Sequence, residues 1–136
     1  MKLLQIIFLL LFLLINVSAI DFKEVRIIKL KKDVQKKILV SYGSNTKLFQ
    51  FRWTLYKNNA LVLFRSYDKI VAQNILYTSY KNRFFRQELK SRGANLYNVP
   101  YILVKFKEFD YETREAIFEL FLSDNDGQIN LKYLKD

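Results

Sequence analysis

Five lysines, Lys29, Lys31, Lys32, Lys36 and Lys37, crowd into nine consecutive positions and form the densest positive charge in the chain. Ammonium groups at that spacing raise the local potential and draw in an anionic partner. Further on, Arg52, Arg65, Arg83 and Arg86 are joined by Lys69, Arg92 and the aromatic Tyr67. A guanidinium forks two hydrogen bonds onto a phosphate or carboxylate, and an aromatic face attracts a neighbouring cation, so this set suits phosphates or glycans. The plainer account is that these charges solvate the outer faces of strands whose aromatics form the core.

The missing side chains narrow the chemistry further. There is no His and no Cys. Imidazole and thiol nucleophile systems, the usual zinc ligands and the commonest general base near neutral pH are thereby removed. Carboxylates remain, but Glu108, Asp110, Glu112 and Glu115 read as the exposed end of a hairpin already paired with Lys107 and Arg114, and no two stand out as a glycosidase pair. Asp124-Asn125-Asp126-Gly127-Gln128-Ile129 invites comparison with a calcium loop, yet aligning Gly127 with the required Gly puts Leu122 and Tyr133 where the first and last carboxylates belong. A hairpin turn fits that segment better. The expectation is a protein that is not an enzyme and uses no metal or cofactor, with a carboxylate-based hydrolase as the enzymatic alternative.

Charge and address point the same way. The net charge is +10, with seventeen Lys or Arg against five acids in residues 20–95 and five against eight in residues 96–136. Such a layout favours an anionic partner on one side of the molecule. Lys2 precedes an apolar run from Leu3 to Ile15 broken only by Gln5, and Val17-Ser18-Ala19 offers a peptidase site. Residues 1–19 are therefore expected to be a secretory signal peptide, and the run is too short for a membrane span. That makes residues 20–136 a single domain, periplasmic or secreted, with no membrane span after cleavage. Export demotes nucleic acid as a partner, so an anionic envelope surface or an acidic protein comes first. With no disulfide available, burial alone must hold the fold, and 51% hydrophobic and 16% aromatic residues supply the material.

The elements that position these residues read as strands. From Tyr101 onward Ile102, Val104 and Phe106 alternate with polar or boundary positions, and Ala116, Phe118, Leu120 and Leu122 repeat the period of two. Asp126-Gly127 reverses the chain into Ile129, Leu131 and Tyr133. The expected result is a three-stranded meander with Val104 opposite Phe118, Lys107 opposite Glu115, Glu108 opposite Arg114 and Leu120 opposite Leu131. Earlier, Asp21 to Lys32 and Lys37 to Tyr42 read as strands, separated by a turn at Lys31-Lys32-Asp33. In Leu48 to Tyr56, Phe49, Phe51, Trp53 and Leu55 share one face. A two-residue turn at Asn58-Asn59 would pair Leu55 with Val62 and Trp53 with Phe64, and set Arg52 against Arg65, a repulsive pair unless an anion lies between them. Asp68-Lys69 reverses the chain into a strand at Ile70 to Tyr77.

Residues 79–91 fit a helix or a strand, and the strand is favoured because its neighbours are strands. The fold expected is an all-β antiparallel β-sandwich of short hairpin-connected strands. A small β-barrel is one alternative, which would make the protein a carrier of an apolar ligand. An α+β fold with one helix at 79–91 is the other. The function these readings imply is an exported, non-enzymatic binding or accessory module that meets its anionic partner through the basic N-terminal part.

Overall fold

The computed structural model describes residues 22–79, 81–91 and 98–135. Residues 1–19, expected to be a signal peptide, and Arg92 lie outside the described residues. Nine strands are formed among the described residues: β1 Glu24–Lys31, β2 Lys36–Tyr42, β3 Asn45–Lys57, β4 Ala60–Tyr67, β5 Ile70–Tyr77, β6 Phe84–Glu88, β7 Tyr101–Asp110, β8 Glu115–Ser123 and β9 Asn130–Tyr133. They make two antiparallel sheets, ordered β1-β8-β7-β6 and β5-β4-β3-β2-β9. The sheets pack face to face and do not close, so the fold is a β-sandwich rather than a barrel. Within residues 79–91 the strand covers 84–88, with Phe85 buried and Phe84 and Arg86 outward.

The core is what alternation built. Phe49, Phe51, Phe106 and Phe118 are fully buried, and Phe51 meets Phe118 edge to face at 5.4 Å across the two sheets. Turn chemistry fixes the second sheet. Asn58 and Asn59 (φ 54° and 62°) and Asp68 and Lys69 (φ 50° and 68°) form two-residue turns with both central residues left-handed, the geometry that matches strand twist.

Three expectations about pairing are overturned. First, β9 does not return to β8; it crosses to the other sheet and pairs with β2, Leu131 opposite Val40 and Tyr133 opposite Ile38. The free edge of β8 is instead filled by β1 over eight residues, Glu24 opposite Leu122 through Lys31 opposite Glu115. A turn at Asp124 to Gly127 does form, with the Gly127 N–H on the Asp124 carbonyl at 3.2 Å. Beyond it, however, the Asp124 carboxylate accepts the Ile129 N–H at 2.7 Å and the Lys23 ammonium at 3.1 Å, which carries the chain across to the second layer. Second, the β7–β8 register is offset by two residues, Val104 facing Leu120 and Phe106 facing Phe118. The inward face survives because two is the strand period. The offset arises because Asp110 accepts the N–H groups of Glu112 and Thr113, holding a four-residue turn, while a bulge between Phe106 and Glu108 absorbs Lys107. Lys107 consequently faces no Glu115, and Glu108 faces Ile117. Third, the β3–β4 register holds at Leu55 opposite Val62 but slips between Trp53 and Leu55, so Trp53 faces Leu63 and Arg65 faces Phe51. Arg52 and Arg65 are not opposed.

Both open sides of the sandwich are sealed by an arginine lying on an aromatic ring. On one side the Arg26 guanidinium of β1 sits 3.7 Å from the Tyr133 ring centre on β9. On the other, Arg65 of β4 sits 4.8 Å from Phe85 on β6, donates to Asn74 at 2.8 Å and also bonds Gln87. Each cation joins one sheet to the other.

Candidate functional site

The two bulges lie at the same end of the sandwich, one in each sheet, and each turns an aromatic residue inward that simple alternation would have left elsewhere. In β3 the extra residue moves Leu55 to the outside, 51% exposed, and brings Tyr56 in against the core. In β7 the extra residue turns Phe109 inward opposite Ala116. The two rings stack at 4.3 Å with 19° between their planes. Bulges commonly re-aim side chains beside binding sites, and here the paired bulges lay an aromatic floor.

Around that floor lies an open cleft of about 730 Å³. Besides Tyr56 and Phe109 it is lined by Trp53, Tyr111 and Leu55 and by the exposed Lys31, Lys32, Thr113 and Arg114. Trp53 is locked: its indole N–H donates to the Leu30 carbonyl at 2.8 Å, and its ring meets Phe109 edge-on at 5.7 Å. The lysine turn is pinned to the same residue, since the Asp33 N–H donates to the Trp53 carbonyl at 2.9 Å and Asp33 takes a left-handed φ of 62°. Opposite, the Asp110 side chain organises the loop that carries Tyr111 and Arg114, and Arg114 is itself left-handed at 58°. The N–H groups of Thr113 and Glu112 hold the Asp110 carboxyl below its usual pKa. The Tyr56 hydroxyl lies 3.1 Å from that of Tyr111; burial first, and then this contact, push its pKa up to about 12, so it remains a neutral hydroxyl near pH 7. Fixed rings and three cations lining one cleft can offer a planar or sugar face an aromatic surface and neutralise an anion in one place.

The residues expected to bind an anion are scattered by the fold. Lys31 and Lys32 reach the cleft. Lys29 is exposed on β1, close enough to Asp110 to favour its charged form. Lys37 is exposed on β2, and Lys36 is half-buried at that strand's start. Arg52 pairs with Asp33 at 3.6 Å on the outer face. Arg65 is committed to the seal, where burial lowers its pKa. Arg83 lies in the β5–β6 connection with its Nε enclosed and unpartnered among the described residues. Arg86 covers the Tyr101 ring at 3.8 Å and lies 4.0 Å from Glu88. Tyr56, Phe109, Tyr111 and Arg114 were not among the expected site residues, because the bulges that assemble them are mismatches between paired strands and leave no mark on either strand alone.

No family model matches the chain, and no solved structure matches it. One curated protein is similar over 78 residues at 30% identity, the ribosomal RNA large subunit methyltransferase K/L of Psychrobacter arcticus. The match takes in 57% of this chain and spans only about a tenth of that relative's length.

Proposed function

We propose that the protein is an exported, non-catalytic binding module whose bulge-built cleft takes an anionic ligand with a stackable face, such as a charged wall polymer or lipid headgroup. The observation that carries this reading is the stacked pair of Tyr56 and Phe109 in the same cleft as Lys31, Lys32 and Arg114. It replaces the broader basic N-terminal part with three cations drawn from both ends of the chain. The unclosed sandwich gives no support to the alternative of a barrel filled by an apolar ligand.

The chain contains one tryptophan, and it lines the cleft, so intrinsic fluorescence reports occupancy directly. Titration with vesicles of anionic lipid or with wall polymer is expected to shift Trp53 emission, with an affinity that falls as salt rises. Lys31→Glu combined with Arg114→Glu is expected to weaken binding by about a hundredfold, roughly tenfold per reversed charge. Lys37→Glu, on the outer face of β2, is expected to change it little. Equal binding by all three proteins rejects the cleft as the site. Single-stranded RNA belongs in the same titration, since its phosphates and bases offer the same pair of contacts; tighter binding there than to lipid or polymer reassigns the ligand.

A further inference from the structure

We propose that the free edge of β5 pairs with β5 of a second copy of this chain, in antiparallel register about Gln73, extending the second sheet across a two-fold axis. The inference is independent of the cleft. β5 is an edge strand of eight residues, Ile70–Tyr77, with no charged side chain and no proline. Val71 is 69% exposed and Ile75 47% exposed on its outer face. Natural edge strands are normally protected by charge, brevity or cover, because a bare edge offers unpaired N–H and C=O groups to another strand. On a molecule of net charge +10, β5 is also an edge where two copies can meet without bringing like charges together along the strand.

The register follows from the turn. The two-residue reversal at Asp68-Lys69 makes Tyr67 and Ile70 a hydrogen-bonded pair, so Ile70, Ala72, Asn74 and Leu76 direct their backbone groups toward β4. Val71, Gln73, Ile75 and Tyr77 direct theirs outward. The Tyr77 N–H is already given to the Asn82 carbonyl at 2.8 Å, which leaves, among the described residues, three outward positions centred on Gln73. A two-fold axis there sets Gln73 against its own copy and Val71 against Ile75 of the second chain, twice over. Each such pair exchanges two backbone bonds, about six in all, and directly opposed side chains then match amide with amide and aliphatic with aliphatic.

Sedimentation velocity of the full chain across a concentration series, at about 0.15 M salt, tests this. The expected result is a monomer–dimer equilibrium that Gln73→Lys weakens by at least tenfold, since it sets two ammonium groups directly opposite each other. Ile27→Lys, the matching change on β1, is expected to leave it unchanged. The chain has no cysteine, so single replacements give a clean cross-linking assay. Gln73→Cys is expected to form a covalent dimer at least tenfold faster than Ile27→Cys, because opposed residues of a hydrogen-bonded pair lie at disulfide distance. A monomer at every concentration, an association unaffected by Gln73→Lys, or equal cross-linking from positions 73 and 27 would each overturn the proposal.

Discussion

β1 and β5 are edge strands of equal length, eight residues each, and they solve the exposure of an edge in opposite ways. β1 carries Glu24, Arg26, Lys29 and Lys31, so a strand approaching its rim must face charge. β5 carries none. Behind both rims the closure is alike, an inward arginine lying over an aromatic ring of the facing sheet. The contrast therefore lies in what is offered to solvent and not in how the core is shut. Sealing a sandwich and guarding its edges are separate tasks, performed here by different residues.

Removing the seal behind β5 should have the largest effect on stability. Arg65→Ala leaves Asn74 and Gln87 without their shared donor and takes the cation from Phe85; the unfolding free energy is expected to drop by about 2–3 kcal/mol, read from the urea midpoint. Arg65→Met, which keeps the aliphatic contact alone, should fall between the two. On the β1 side, Asp124→Asn is expected to cost about 1–2 kcal/mol at pH 7. Burial opposes the Asp124 charge, but the N–H groups of Ile129 and Gln128 and the Lys23 ammonium outweigh it and lower its pKa. A carboxylate depressed in the folded state stabilises above its unfolded value, about 3.9, and loses that contribution as pH falls through the folded value. Urea midpoints of the two proteins should therefore converge progressively as the pH falls below the unfolded value; a gap that does not narrow at all in acid would show that the charge is not responsible. The smallest change expected is from Arg26→Ala, about 0.5–1 kcal/mol, because the Arg26 side chain is still 48% exposed over its ring. A loss as large as that of Arg65→Ala would erase the distinction between the two sides.

Much of the architecture was legible from residue order alone. Alternation identified the strands and, up to each bulge, their inward faces, and Asn58-Asn59 announced its turn through tolerance of positive φ, whereas Lys69 takes its left-handed φ of 68° with no such signal in its residue type. Pairing was less legible. Ile129, Leu131 and Tyr133 alternate correctly, but a period of two states which side of a strand is buried and not which sheet it joins. The Asp124 clasp to Lys23, a contact between opposite ends of the chain, decides that question. The cleft was the least legible part, since it depends on two residues, Thr54 and Lys107, having no partner across their ladders.

The two earliest of the described strands are stitched to the two latest. Glu24 lies opposite Leu122, and Ile38 opposite Tyr133. Strands β2 to β5 can assemble by successive short-range hairpins, whereas β1 finds its ladder partner only in β8, and contacts so distant in sequence are slow to form. A chain cut short before β8 would leave β1 without its ladder, and one cut short before β9 would leave the outer rim of β2 bare.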